Sequence, residues 1–418
     1  MQENSRYAVG IDIGTTTVRC VVAHIDGITG SPTIVGVGSA PNSGMRKGTV
    51  VNLSGPAQAI DDALGEAERM SGYQIHAATI SVNGSHVVGM SSRGVIAVGT
   101  GGHEINDDDL ARVEEAATVV QLPANREILE VTPRSYQLDG QDNIKDPIGM
   151  TGVRLEVDAY VITALGPHLK NLLKACEMTQ TVPHRTILTG LASARAVVSE
   201  RQMENGVVLI DIGGTTTNIA VFDEGDLQHV AVLPVGSVNI TNDLAIGLKT
   251  DLDVAEQVKI QHAIAVAKLR NNEKSVSVKI DKQTHEFDTS DIDMIVDARL
   301  EEIFELINKE LKSIGRAAKL PGGAVITGGG AKLRGIEEYA KEALQISARL
   351  GIPSGYGGVA EKVGNSAYSS AVGLMLFDLE GGVGTVDQHK GKAAGIDVGN
   401  IISNIVNKVT GIFNKFRS

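Results

Sequence analysis

A short acidic glycine–threonine motif occurs twice, about half a chain apart. Asp12-Ile13-Gly14-Thr15-Thr16-Thr17 returns as Asp211-Ile212-Gly213-Gly214-Thr215-Thr216-Thr217. Each copy follows an apolar run, Val9 to Ile11 or Val207 to Ile210, and precedes another, Val18 to Ala23 or Ile219 to Phe222. Apolar run, Gly/Thr turn, apolar run spells a β-hairpin. A P-loop or Rossmann turn would open a helix instead, and neither GxxxxGK[ST] nor GxGxxG occurs in the chain. The 418 residues are enough for roughly two to three domains. The echo therefore predicts two related α/β halves, each presenting a hairpin loop to a shared cleft.

Such turns suit phosphate. Glycine lets the backbone approach closely, and hydroxyls and N–H groups donate to phosphate oxygens. An aspartate on each hairpin can hold a hydrated Mg²⁺ near the same phosphates, because Mg²⁺ retains several waters. One turn alone reads equally well as a plain hairpin; two matched copies favour a phosphate cradle. A third element, Val325-Ile326-Thr327-Gly328-Gly329-Gly330-Ala331-Lys332-Leu333, is an apolar strand running into a triple-glycine turn. A flat base could lie there against bare backbone, although a tight strand–helix connection would use the same residues.

Helices separate these strands. Pro56 to Met70 carries Ala59, Ile60, Ala63, Leu64 and Ala67 at helical spacing. Leu169, Leu172, Leu173 and Cys176 mark another helix after Pro167. Asp291 to Ile314 places Ile292, Ile295, Val296, Leu300, Ile303, Phe304, Ile307 and Leu311 on one face and stops at Gly315. Asn106 to Asp109 opens a helix ending near Val120, its acids at the positive end of the helix dipole. Alternating strands and helices give an α/β class.

Composition excludes other classes. A net charge of −12 argues against a general nucleic-acid binder. With six Phe, seven Tyr and no Trp, platforms for stacking single-stranded bases are not expected. Cys20 and Cys176 have no metal-like spacing and read as small buried hydrophobes of a reducing compartment. No HExxH pair occurs, no signal peptide is expected from the polar start Met1 to Tyr7, and no run of 18 apolar residues appears.

The last 38 residues differ from the rest. Six of the 19 residues of 381–399 are glycine, which predicts a flexible tether of about 25 Å reach. In 400–418, Ile401, Ile402, Ile405, Val406, Val409, Ile412, Phe413 and Phe416 fall within an arc of about 140° at helical spacing. Lys408, Lys415 and Arg417 lie on the polar side without any acid, so this +3 tail follows a body of −15. A core helix, a coiled-coil strand and an in-plane membrane helix compete for this stretch. The wide stripe without heptad charges disfavours the second, and the tether disfavours the first. The third puts the apolar face in the acyl boundary and the cations on anionic lipid.

With these motifs assembled, the chain resembles a known family. The two hairpins and the Thr-Gly-Gly-Gly turn are similar to the phosphate-1, phosphate-2 and adenosine motifs of the actin/Hsp70/sugar-kinase superfamily. Within it, the resemblance narrows to the FtsA family of bacterial actin homologues of cell division. It rests on Ser92-Arg93-Gly94-Val95, Leu122 to Leu129, Ile144 to Met150, Gly152 to Glu156, Thr241 to Ala245 and Ala367 to Gly373. The resemblance implies an actin-like ATPase fold of two related halves around a nucleotide cleft, with an inserted FtsA-type subdomain and a C-terminal amphipathic helix. Residues 1–83 and 165–200 would form the first half, completed by about 360–380. The insert would span 84–164, the second half 201–246 and 321–359, and its outer subdomain 247–320. The linker would be 381–399 and the membrane helix 400–418.

Position by position, the resemblance implies that Gly14, Thr15, Thr16, Thr17, Gly213, Gly214, Thr215, Thr216 and Gly236 hold ATP phosphates. Asp12 and Asp211 would organise Mg²⁺ through water. Glu256 and Lys259 would reach the ribose and adenine, and Gly329, Gly330, Lys332 and Leu333 would flank the base. The pair Glu256 and Lys259, three apart on a helix, is otherwise an ordinary solvated ion pair. The family often has Lys where Thr17 stands, with Arg19 nearby to compensate, and Gly and Asp where Thr215 and Asn218 stand. Thr189 to Ser193 carries no Glu or Gln to position an attacking water, so slow hydrolysis is expected. Implied partners are a short C-terminal peptide of the tubulin-like FtsZ, further copies of this chain, lipid of the cytoplasmic membrane's inner face, and later divisome membrane proteins. A metabolic kinase, a chaperone ATPase and a pilus-assembly adaptor share the superfamily fold. The first would need a base and a substrate pocket, the second a peptide-binding domain, and the third no tethered tail.

Overall fold

The computed structural model describes residues 6–99, 101–119, 122–271, 273–280 and 283–380. The glycine-rich stretch 381–399 and the amphipathic tail 400–418 lie outside the described residues. The chain divides into two compact units, Met1–Val88 with Pro167–Leu376, and Gly89–Gly166 with the chain after Leu376.

The larger unit contains two sheets built to one plan. In the first, Arg6–Ile13 pairs antiparallel with Thr17–Ile25, which pairs antiparallel with Pro32–Pro41. On its other side Arg6–Ile13 runs parallel to Ala77–Val82, itself parallel to Val182–Leu188. In the second, Val207–Ile212 pairs antiparallel with Thr217–Asp223, which is followed by antiparallel Asp226–Leu233. Here the parallel neighbours are Gly323–Thr327 and then Ala348–Leu350. The echoed motif is thus a repeated supersecondary unit, and its two hairpins are in matching register. Asp12 stands opposite Arg19, and Asp211 opposite Asn218. Val207–Ile212 is buried along its whole length, as a central strand covered on both faces must be.

Bare backbone sets how closely helices approach these sheets. Ser54–Ser71 begins two residues before the Pro56 start read from the sequence and buries the expected Ala59, Ile60, Ala63, Leu64 and Ala67. It crosses Pro32–Pro41 at Gly38, where a Cβ would lie 1.9 Å from Ala63 O. The helix Ser369–Glu380 passes Arg6–Ile13 at Gly10, where a Cβ would lie 2.4 Å from Ala371 O. That helix also crosses Thr189–Val197 at Gly373, where a Cβ would sit 1.7 Å from Ala192 O. Gly166–Glu177 is the helix expected after Pro167.

Thr289–Ser313 buries Ile292, Val296, Leu300, Ile303, Phe304, Ile307 and Leu311 in the core of the second half. Ile295, read as part of that stripe, packs against the edge of the core beside Gly247. The same core takes in Val254, Ala255 and Val258 of the helix Leu252–His262 and Val276 and Val278 of the hairpin Ser275–Asp288.

The smaller unit is a four-stranded sheet in the order Val88–Ala97, Arg154–Leu165, Arg126–Leu138, Gln141–Ile144. The helix Asp107–Thr118 packs Leu110, Val113 and Ala117 into a core with Leu155, Val157 and Ala159. Asn106 caps it, accepting from Asp108 N and Asp109 N, while the Asp109 carboxylate accepts from Asn106 N. Three acids in the first turn are therefore used as helix-start chemistry. Among the described residues, no helix is long and apolar enough to cross a membrane.

Gly373→Ala is expected to destabilise the protein by about 2–3 kcal/mol or more through backbone overpacking. Gly27→Ala, where an added Cβ meets nothing within 4 Å, should change stability by less than about 0.5 kcal/mol. Urea unfolding of both variants checks the contrast.

Candidate functional site

The two echoed turns are held by different means. In the first, Asn42 Nδ2 donates to Gly14 O at 2.8 Å and Asn42 N–H donates to Thr16 O at 2.9 Å. Ile13 N–H donates to Ser81 Oγ at 2.8 Å, fixing the strand end to its parallel neighbour. In the second, Gly213 N–H closes the turn on Thr216 O at 2.8 Å. The first N–H groups of the helix Ser237–Gly247 complete it: Ser237 donates to Gly213 O at 2.9 Å and Val238 to Gly214 O at 2.8 Å. The turns meet at glycine, since a Cβ on Gly214 would lie 2.7 Å from Thr16 Cγ2.

A cavity of about 640 Å³ opens beside this meeting point, within the larger unit. The first hairpin lines it with Asp12, Gly14, Thr15, Thr16, Thr17 and Arg19, and the second with Asp211, Gly213, Gly214 and Thr216. Glu256, Lys259, Gly329, Gly330, Lys332 and Leu333 also line it. Two of the residues singled out from the sequence stand elsewhere. Gly236 lies behind the second turn, where a Cβ would be 2.7 Å from Gly213 O and Gly214 O, so it supports the turn from outside the cavity wall. The Thr215 hydroxyl is buried without a hydrogen-bond partner and is likewise absent from the wall.

At the far end Lys259 Nζ lies 2.7 Å from Glu256 Oε2 and 2.8 Å from Thr241 Oγ1, and it also donates to Ser237 O at 3.3 Å. The Thr241 hydroxyl in turn donates to Glu256 Oε2. Thr241 is buried and Lys259 largely so, which replaces the reading of a solvated ion pair with a positioned one. Gly328 adopts φ +88, and a Cβ there would be 2.3 Å from Asp211 Oδ1; beside Gly329 there is open space. The triple-glycine segment continues as a short 3₁₀ turn, Gly329–Lys332.

Two buried acids, Asp12 and Asp211, share the cavity with several cations, Arg19 and Lys332 among them. Burial pushes the Asp211 carboxyl up to about 7; the Ser193 hydroxyl opposes this, Asp12 adds to it and Arg19 opposes it. Ser193 Oγ donates to Asp211 Oδ2 at 2.6 Å. Burial, with Arg19 adding to it, holds the Lys332 ammonium below its usual range. Arg19 also lies 5.5 Å from the Tyr368 ring centroid. Its presence was legible in principle: residues two apart on a strand share a face, so Arg19 follows Thr17 into the cavity and supplies the cation that Thr17 lacks. Asn83, Ser193 and the buried Asn218, whose Oδ1 has no partner, were missed as contributors. Asn83 carried a signal in its position just beyond the carboxyl end of Ala77–Val82, where clefts of α/β sheets form.

This constellation fits a nucleoside triphosphate with Mg²⁺. Two glycine–hydroxyl turns line one cavity, a bare-backbone surface offers room for a flat ring, and Glu256 with Lys259 offers polar partners. Asp12 and Asp211 are hard oxygen donors, and a buried acid at about 7 gains from a nearby dication. Among the described residues no cluster of three or more His, Cys, Asp or Glu side chains suits a metal, so the remaining ligands would be waters and phosphates.

Comparison with known proteins agrees with this geometry. Residues 208–373 match the family described as Cell division protein FtsA, and residues 84–163 match the SHS2 domain inserted in FTSA. Cell division protein FtsA of Pseudomonas aeruginosa is 36% identical over 380 residues, covering 90% of each chain. Its Bacillus subtilis counterpart is 38% identical over 379 residues, covering 90% of this chain and 84% of the relative. The chain belongs to the FtsA family of cell-division proteins. Solved structures show the actin-like fold that this family shares. A PilM–PilN type IV pilus biogenesis complex superposes with TM-score 0.64 at 18% identity, covering 89% of this chain and 98% of that one. MreB5 of Spiroplasma citri bound to ADP superposes with TM-score 0.53 at 13% identity, covering 89% and 96%. FtsA membership brings an actin-like role in cell division, with division-protein partners and self-association.

The raised Asp211 carboxyl makes a pH prediction. The folded state binds this proton more tightly than the unfolded state, so its contribution is fully present below about pH 4 and is lost as pH rises through about 7. Relative to Asp211→Asn, nucleotide-free protein should lose up to ~1.4 kcal/mol of stability per pH unit across that window. Denaturant midpoints measured from pH 4.5 to 8 test it; parallel curves for the two proteins would contradict it.

Proposed function

We propose that this protein is an ATP-binding, self-assembling division protein that ties the FtsZ filament to the inner face of the cytoplasmic membrane and recruits later divisome proteins. The observation that carries the nucleotide part is the pair of glycine–threonine turns lining one cavity, with Asp12 and Asp211 beside them. A solved relative of the fold, MreB5 of Spiroplasma citri, is described in complexes with ADP and with AMPPNP, which supports a nucleotide here. Thr15, Thr16, Gly214 and Thr216 would hold the phosphates, and Asp12 and Asp211 a hydrated Mg²⁺. The cation would neutralise charge on the phosphate chain. Glu256 and Lys259, preset by Thr241, would take the ribose side, and Gly329 and Gly330 the base.

Hydrolysis is proposed to be slow. Ser193 engages Asp211, Asp12 would be taken up by the hydrated Mg²⁺, and the side chains of Asn83, Thr189 and Asn218 are neutral, so among the described residues none of these is left as a free base to activate water. The membrane part rests on the sequence of 400–418, with its apolar stripe and three cations, and on family membership. A single short amphipathic helix binds lipid weakly, so attachment would draw on many copies in a filament. The FtsZ peptide is proposed to dock on the outer subdomain of 247–320, and the insert 84–164 to serve polymer and divisome contacts. A metabolic kinase or chaperone remains the alternative on this fold, but no observation favours either.

Electron microscopy of the protein on anionic lipid with Mg-ATP should show filaments; their absence under conditions where ATP binds would refute the cytoskeletal reading. Deleting 400–418 should sharply reduce liposome co-sedimentation while leaving ATP binding intact. Steady-state phosphate release should be very slow, and rapid release by the purified protein would overturn the ATP-holding role.

A further inference from the structure

Each phosphate turn places a threonine hydroxyl in the cavity wall, Thr15 in the first and Thr216 in the second. A hydroxyl has one proton to donate and lone pairs to receive with. On both threonines a lone pair is already occupied. Gly48 N–H donates to Thr15 Oγ1 at 3.2 Å, and Asn83 Nδ2 donates to Thr216 Oγ1 at 3.0 Å. These two donors sit on two segments that pack against each other. Gly84 N–H donates to Asn83 Oδ1 at 2.7 Å. Gly48 packs so tightly on Gly84 that a Cβ would lie 2.6 Å from Gly84 N, and both glycines have positive φ, +80 and +116. A bracket from the first half thus reaches both turns, and its side-chain member, Asn83, itself lines the cavity.

Direction matters in such a contact. The Asn83 nitrogen can only donate, so Thr216 is held as an acceptor there and its proton is left for another oxygen. A hydroxyl that accepts one hydrogen bond also becomes a better donor in the next. The second N–H of the carboxamide has no partner among the described residues. We propose that Asn83 is a positioning residue for the phosphate chain: it presets Thr216 as a donor toward phosphate oxygen and offers its own second N–H beside it. The inference rests on reading the cleft as a nucleotide site. It adds that affinity for phosphorylated ligand, over bare nucleoside, depends on a side chain outside both turns. A carboxylate in place of Asn83 would reverse the contact, accepting the Thr216 proton and adding negative charge beside the phosphates.

The test is equilibrium binding of Mg-ATP and of adenosine to the full chain by calorimetry. Asn83→Ala should weaken Mg-ATP about ten- to one-hundred-and-fifty-fold, the worth of one hydrogen bond to a charged group, while leaving adenosine within about two-fold. Asn83→Asp should weaken Mg-ATP further than Asn83→Ala. Thr216→Val should reproduce the ATP-selective loss, Thr216→Ser should retain affinity, and Asn83→Ala should cost less once Thr216 is Val, the remaining loss being that of its own second N–H. Should Asn83→Ala fail to fold, the Thr216 pair carries the test. Equal loss of ATP and adenosine would make Asn83 a structural latch and overturn the proposal, as would an Asn83→Asp protein that binds ATP as well as the wild type. Wild-type protein that binds neither ligand would overturn the underlying nucleotide reading instead.

Discussion

Two hairpin turns meet at a glycine, and the rest of the larger unit is arranged around that contact. Gly214 lies against Thr16 with no room for a Cβ, and the turns on either side present hydroxyls and glycine backbone to one cavity. Holding them there takes hydrogen bonds from outside the hairpins: Asn42 and Gly48 for the first turn, Asn83 and the start of the helix Ser237–Gly247 for the second. This network fixes both turns before any ligand enters, so the cavity is largely preorganised, with Asn218 Oδ1 and Thr215 Oγ1 left unpaired.

Burial of acid at the same place is the electrostatic counterpart. Asp12 and Asp211 occupy equivalent positions in the two hairpins, both buried, and the second has its carboxyl pushed up to about 7. Ionising Asp211 costs stability in the empty protein as pH rises through about 7, and a dication would offset that cost, which links folding stability to occupancy. Arg19 and Lys332 bring positive charge to the same cavity. The acidic body of the chain therefore contains a locally balanced site suited to a charged ligand.

Much of the fold was legible because it follows periodicity. The apolar stripe of Thr289–Ser313, the buried face of Ser54–Ser71 and the cap at Asn106 each depend on residues within a few turns of one another. The hairpin reading of the echoed motif held for the same reason, since turn and flanking strands are contiguous. What sequence could not separate was Thr215 from Thr216: adjacent residues in one turn, one with its hydroxyl buried out of the wall and the other in it. Likewise Gly236 reads as a cleft glycine, but its lack of a Cβ serves the close approach of the helix start to the back of the turn.

By itself the sequence determined the two related halves, the residue types of the two glycine–threonine turns and the triple-glycine turn, the acidic body and the basic apolar-striped tail, because each is written in local order or composition. Tertiary structure alone decided which side chains share the cavity. Asn83 meets Thr216 across 133 positions, Ser193 reaches Asp211 from a helix, and Thr241 converts Glu256 and Lys259 from a surface pair into a fixed one. Those pairings depend on how strands and helices from distant parts of the chain are brought together, and the hydrogen bonds form only after the sheets have packed.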